Sequence, residues 1–382
     1  MSSCVYFNQG QCRSCTHLRM PYAQQLVEKQ GACAAQLPMI AEHQWLPIFA
    51  TAPMGFRNKA KMAVGGSWQD PQFGLVDYEG VAQDLSECPL YPEAIQQAFA
   101  PIKAWITACR LPPYHIQSRT GELKYVLLTY SQREQALMLR FVLRSEQWVD
   151  TMRELLPKLL ASCPGLQVVS VNIQPVAMAI IEGPHEILLS EQSSLTMWLN
   201  DLPLHLKPQS FFQTNDEVAA GLYRQAQEWL MQIRPQALWD LFCGVGGFAL
   251  HAAQAGQQNI VGIEVSEQAI ASARQSASEL GFYHLVFRAL KADDFALQAN
   301  RLHEMPDAVI VNPPRRGIGA ELCAFLDGAA PVKNLIYSSC NPQSLAKDLA
   351  RLPSFRVQQA RIFDLFAHTD HAEVIVLLRR EA

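Results

Sequence analysis

Residues 337–343 read Tyr-Ser-Ser-Cys-Asn-Pro-Gln and follow the apolar pair Leu335-Ile336. A strand that meets Pro342 has to stop, because proline brings no N–H to a ladder, so Cys340 is expected at the turn with its thiol presented beyond the sheet. Arg315 and Arg316 in a neighbouring loop can favour the thiolate, which is the nucleophilic form. Cys33, Cys109, Cys163, Cys243 and Cys323 are expected to be buried and inert. Cys4, Cys12 and Cys15, in the pattern C-x7-C-x2-C, together with Cys88 in Ser-Glu-Cys-Pro, supply four more thiols in polar surroundings. Four thiols can hold a 4Fe-4S cluster or a structural zinc. The spacing is not the C-x3-C-x2-C of radical enzymes, so radical chemistry is not expected.

A second chemical feature is Leu238 to Leu250, LWDLFCGVGGFAL, in which an apolar run enters the turn Gly244-Val245-Gly246-Gly247. Glycines allow close approach of backbone to a ligand, and Glu264 stands where a carboxylate accepts both hydroxyls of a ribose. A nucleotide-like cofactor follows. Gly244-x-Gly246-x-x-Ala249 also fits a dinucleotide fingerprint, which keeps an Fe-S oxidoreductase open as an alternative. A third feature is Gly55 to Met62, GFRNKAKM, where Arg57, Lys59 and Lys61 beside Phe56 suit phosphates and stacking on an unpaired base. Arg119, Lys124, Arg140 and Arg144 could extend that patch.

These residues need elements to hold them. The chain has 382 residues, 49% hydrophobic and 17% charged, enough for two or three domains. No apolar stretch approaches a membrane span and no secretory signal opens the chain, so a cytosolic monomer is expected. A net charge of -4 excludes a protein that coats nucleic acid non-specifically but permits a local basic patch. The limits expected are 1–45 for a small cysteine-bearing segment completed by Cys88, 46–206 for a mostly antiparallel α+β domain, and 207–382 for an α/β domain. In the middle, Lys124–Thr129, Ala136–Leu143, Leu166–Ile173 and Glu186–Leu189 read as strands and Met152–Leu160 as a helix. Beyond 207, Thr214-x-x-Glu217 has the form of a capping box. Strands are expected at Ala237–Phe242, Asn259–Glu264, Leu285–Ala289, Ala308–Val311, Asn334–Ser338 and Glu373–Leu378. Helices such as Glu267–Leu280, closed by Gly281, lie between them, which implies a parallel, doubly wound Rossmann-like sheet. Cys340 then falls on the carboxyl edge, where open α/β sheets bind ligands.

At that edge Asn312-Pro313-Pro314-Arg315-Arg316-Gly317 resembles the N/D-P-P-x loop of S-adenosylmethionine-dependent methyltransferases. A thiolate beside a methyl donor suits one reaction: addition to C6 of a pyrimidine makes C5 nucleophilic, C5 takes the methyl, and a base removes the C5 proton. His368, His371 and Glu373 are candidate bases. With QSFFQTN, DLFCGVGGF, NPPRRG, SSCNPQ and HTDHAEV in order over residues 209–378, the chain resembles the family of RNA uracil-C5 methyltransferases. The resemblance implies Cys340 as nucleophile, Glu373 as proton acceptor, and Gln213, Phe242, Gly244, Glu264 and Asn312 at the S-adenosylmethionine site. Many members have Asp where this chain has Asn312. The cysteine set resembles that of the ribosomal-RNA members, which implies a 4Fe-4S cluster on Cys4, Cys12, Cys15 and Cys88. With no room expected ahead of Cys4 for a TRAM barrel, the resemblance implies 23S ribosomal RNA as partner and uridine 747 as target. Another uridine in ribosomal or transfer RNA is the alternative.

Overall fold

The computed structural model describes residues 4–77, 81–176, 180–301 and 304–381. Helices α1 (Val5–Asn8) and α2 (Tyr22–Gln36) precede a first sheet. Its elements are β1 (Lys59–Gly66), β2 (Pro71–Val76), β3 (Ala82–Asp84), α3 (Glu93–Cys109), β4 (Leu123–Ser131), β5 (Ala136–Leu143), α4 (Val149–Ser162), β6 (Leu166–Ile173) and β7 (His185–Leu188). The strand order is β3-β2-β1-β4-β5-β6-β7, antiparallel except where β5 pairs with β6. Helix α3 carries Ile95, Phe99, Ile102 and Ile106 at three- and four-residue steps, the spacing that makes one apolar stripe, and buries them against this sheet.

A hairpin of β8 (Leu195–Leu199) and β9 (Leu202–Leu206) follows, turned by Asn200 and Asp201 at φ of 50° and 64°. Both turn residues tolerate the left-handed region that a two-residue hairpin requires. Next come α5 (Asp216–Ile233), β10 (Leu238–Leu241), α6 (Gly247–Gln254), β11 (Ile260–Glu264), α7 (Glu267–Glu279), β12 (Val286–Ala289), α8 (Ala292–Arg301) and β13 (Ala308–Val311). The chain ends with α9 (Gly319–Gly328), β14 (Asn334–Ser339), α10 (Pro342–Leu349), β15 (Phe355–Phe363) and β16 (Glu373–Arg380). The second sheet is ordered β12-β11-β10-β13-β14-β16-β15. Its first five strands are parallel, and β16 inserts antiparallel between β14 and β15. Strands β10 and β13 are buried along their whole length, as strands covered by helices on both faces must be.

Three details differ from the sequence reading. The amino-terminal segment does not stay together: Cys12 and Cys88 pack on the core of the first sheet, whereas Cys33, Leu37 and Ile40 of α2 and its exit enter the core of the second. The hairpin β8–β9 also packs with α5 and α7 in the second half, so elements cross the expected limits at 45 and 206. The cap of α5 is Asn215, whose side chain accepts from the Val218 amide at 3.1 Å, and not Thr214. Among the described residues no helix is long and apolar enough to cross a membrane.

Candidate active site

The parallel register aligns Leu241, Ile263, Val311 and Tyr337 in one row across the second sheet. Phe242, Glu264, Asn312 and Ser338 each come one residue later, so four strands deliver their ends to a single carboxyl edge. At β10 the chain turns sharply: Phe242 has φ 63°, Gly244 φ 55° and Gly246 φ 88°. A Cβ on Gly244 would meet nothing within 4 Å, so this positive-φ glycine faces open space at the mouth of the edge, where a ligand can approach the backbone. Glu264 reaches back to this loop, with Oε2 3.4 Å from the Gly244 amide and Oε1 3.0 Å from the Ser266 amide. Asp240 lies beneath it, accepts from the Ala249 amide at 2.9 Å, and is pushed up to about 8 by burial. Gln213 is buried in the chain segment that enters α5, and its backbone carbonyl accepts from the Asn58 side chain, just ahead of β1, at 2.9 Å.

Cys340 follows the last residue of β14. In the antiparallel register Ser338 faces Ile375 and Ser339 faces Val374, so one further step sets Cys340 opposite Glu373, the first residue of β16. Directly opposed residues on antiparallel strands hold their Cβ atoms roughly 4.5–5.5 Å apart on one face. Glu373 is 2% exposed, its carboxylate accepts from the Ser338 hydroxyl, and burial pushes it up to about 7. The Cys340 thiol is partly exposed. Burial and then the Glu373 charge push it above its ordinary value, while Arg315 pulls it down. Arg315 therefore acts as expected, but burial and the carboxylate outweigh it. Asn341 ties the two loops together: its side-chain Oδ1 caps α10 by accepting from the Gln343 amide (3.1 Å) and its Nδ2 donates to the Arg315 carbonyl (3.0 Å).

Of the other candidate bases, His368 lies buried under α2 and His371 is exposed beside Arg315. Sequence reasoning missed the supports of this loop. Lys29 of α2 donates to Asp364 and to the carbonyls of Phe366 and His371, Tyr22 donates to Asp364, and Gln25 bonds the ring and backbone of His368. Nothing in a 15-residue helix signals a partner more than 300 residues away.

The ten cysteines separate by burial. Cys33, Cys109, Cys163, Cys243 and Cys323 are buried, and the other five are partly exposed. Cys4, Cys12, Cys15 and Cys88 line one cavity of about 170 Å³. Burial and then the neighbouring thiols push Cys15 up to about 12, and Arg57 counters this. Arg57 and Lys61 line this same cavity, while Lys59 lies half-buried beside Glu182 and Arg140, lowered to about 8 by burial. Of the four residues that could extend the basic patch, Arg119 is exposed and the other three are engaged elsewhere. Arg140 is buried in pairs with Glu182 and Glu186, Lys124 donates to Gln174 and Val176, and Arg144 pairs with Glu122.

The fold defines a class first: this is the α/β architecture of S-adenosylmethionine-dependent methyltransferases. A solved Pyrococcus abyssi tRNA (uracil-54, C5)-methyltransferase, in complex with S-adenosyl-L-homocysteine, shares it at a TM-score of 0.78 and 24% identity, over 95% of this chain and 85% of that one. The sequence model of the tRNA (Uracil-5-)-methyltransferase family matches residues 22–381, and the chain belongs to that family. The 23S rRNA (uracil(747)-C(5))-methyltransferase RlmC of Halothiobacillus neapolitanus is 51% identical over 99% of both chains. Its counterparts from Pectobacterium atrosepticum and Shewanella loihica are 47% and 48% identical over the same shares.

Proposed function

We propose that this protein transfers a methyl group from S-adenosylmethionine to C5 of uridine 747 in 23S ribosomal RNA. The observation that carries this reading is Cys340 one step beyond the β14–β16 register, with the buried Glu373 carboxyl close enough to act on its thiol, at the carboxyl edge of the sheet. Names of the full-length relatives support the substrate. S-adenosylmethionine, when bound, supplies an electrophilic methyl; Gln213, Phe242, Gly244, Glu264 and Asn312 would hold it, with the Glu264 carboxylate accepting from the ribose. Cys340 as thiolate adds to C6 of the uracil, and the electron pair displaced to C5 makes that carbon nucleophilic. Once C5 carries the methyl, Glu373 takes the C5 proton, the C5–C6 double bond reforms and the Cys340 sulfur leaves. Asn312, where relatives often carry a carboxylate, serves as a neutral hydrogen-bonding group. The target base has to leave any stack to reach Cys340.

Cys4, Cys12, Cys15 and Cys88 fit a 4Fe-4S cluster. They share one cavity with Arg57 beside them to offset thiolate charge, yet among the described residues no three His, Cys, Asp or Glu converge closely enough for a single metal ion. A cluster spreads four thiolates over several irons and so accepts the wider spacing. Phe56, Arg57, Lys59 and Lys61 are the RNA-facing candidates, with Arg57 and Lys61 bordering the cluster cavity. One chain suffices, since nucleophile, base and glycine loop come from one sheet, and the ribosomal substrate sets the reaction in the cytosol.

The test is release of tritium from C5-labelled uridine in 23S RNA fragments. Release is expected only with S-adenosylmethionine and is lost in Cys340→Ala; release that persists in that variant overturns the mechanism. Anaerobically purified protein should be coloured and hold iron, and a colourless protein with stoichiometric zinc would refute the cluster.

A further inference from the structure

A cleft of about 560 Å³ opens between α2 and the turn that carries Cys340. It lies within the roughly 300–1,000 Å³ of ordinary ligand pockets. None of Gly244, Glu264 and Asn312 lines it, so it lies beside the cofactor residues, and Cys340 is part of its lining. One wall is the stripe Glu28, Ala32 and Gln36, spaced by four on the exposed face of α2. The other wall holds Arg315, Gln343 and Asp370. We propose that this cleft binds the nucleobase adjacent to the target uridine, and selects one that carries an exocyclic amino group. The proposal rests on the methyltransferase reading and names what that reading leaves open, the recognition of the flanking sequence.

The walls can read a base edge. The carboxylates of Glu28 and Asp370 accept N–H groups, while of the cations that line the cleft Lys29 is held by Asp364 and His17 by Asp370, and Arg315 stands on the Cys340 side. Asp370 already bonds His17, and Glu28 takes the Gln24 amide on Oε1 alone, which leaves Oε2 to accept. Gln36 and Gln343 bring amides that both donate and accept, and the Gln343 amide has no partner among the described residues. Ala32, between Glu28 and Gln36, leaves a shallow step against which a planar ring can lie. The α2 wall is held in place by the adjacent buried stripe of Gln25, Lys29 and Cys33, which also lines the cleft, with Lys29 anchored on Asp364. A preformed wall spares the ordering cost of binding. A uracil joined to the Cys340 sulfur brings the next nucleotide of its strand to the mouth of this cleft, so the occupant is a neighbour in sequence.

The experiment uses the full-length protein and short RNA substrates that differ only in the nucleotide on either side of the target. At one flank, adenosine, cytidine or guanosine is expected to exceed uridine in kcat/KM by about tenfold, as one well-placed base contact provides. Glu28→Ala and Gln36→Ala should erase that preference. Val27→Ser, on the outer face of α2 where Val27 is 71% exposed, should keep it. A wild-type protein indifferent at both flanks, or a preference that survives in Glu28→Ala, overturns the proposal. Adduct formation with RNA bearing 5-fluorouridine at the target, which has no C5 proton for Glu373 to remove, is scored in parallel. Absence of that adduct defeats the methyltransferase reading itself, whereas an adduct without flank preference defeats only the cleft.

Discussion

Cys340 and Glu373 face each other with requirements that conflict. Attack needs a thiolate, and an ionised Glu373 raises the thiol's pKa; proton removal needs the carboxylate, which burial holds neutral up to about pH 7. Arg315 eases the first demand by favouring the thiolate. Glu373→Gln should therefore act in opposite directions on the two steps. With the carboxylate gone, the thiol becomes more acidic and iodoacetamide alkylates Cys340 faster at a fixed pH between about 7 and 8. With the base gone, methylated RNA stays joined to the protein as a denaturation-resistant adduct. Slower alkylation, or prompt release of product, would remove Glu373 from both roles. In the wild type, the deprotonated fraction of Glu373 falls as pH drops through about 7, so product release should slow about tenfold per unit below that value.

At the scale of elements, α2 is a brace whose removal the site would feel. Lys29 and Asp364 have side chains 4% and 1% exposed, and Lys29 also donates to the carbonyls of Phe366 and His371 on the loop that leads to Glu373. Breaking one partner of a buried pair costs about 3–5 kcal/mol, because the remaining charge has neither water nor counter-ion. Lys29→Met should lower unfolding stability by that order in urea titration, with Glu373 displaced and kcat reduced. Adding Asp364→Asn should recover part of the stability, since the stranded charge is then removed while Tyr22 keeps an acceptor. A single variant as stable as wild type would show that the pair is not a brace. None of this was legible in the sequence. Lys29 lies in a helix with mostly polar and small residues, and its partner is 335 positions away. Strand β15 escaped for a related reason: Arg356, Gln358, Gln359 and Arg361 interrupt its apolar pattern because it is an edge strand, part of whose length meets solvent.

Over the whole molecule, what could be read in advance was what local chemistry dictates. The glycine turn, the parallel strands β10, β11, β13 and β14, and the division of the cysteines by burial each follow from residues within a few positions of one another. What could not be read was the joining of distant parts, such as Asn58 of β1's approach holding the Gln213 carbonyl and the Asp216 carboxylate at the start of α5. One property of the whole also emerges only from packing. Burial pushes Asp216 up to about 7, Asp240 to about 8 and Glu373 to about 7, against roughly 4 in an unfolded chain. Between those values the folded protein binds more protons than the unfolded one, so stability must fall as pH rises across the interval. His251, lowered to about 4 by burial, works in the opposite sense but only below about pH 6.5, and Lys59 opposes only from about pH 8. The window from pH 6.5 to 8.0 therefore isolates the carboxyls. In ligand-free protein, Tm is expected to drop across that window, and Asp240→Asn, which keeps an acceptor for the Ala249 amide, should flatten the slope. A Tm that is level or rises with pH in the wild type, or an unchanged slope in the variant, would mean that these carboxyls are not held neutral in the fold.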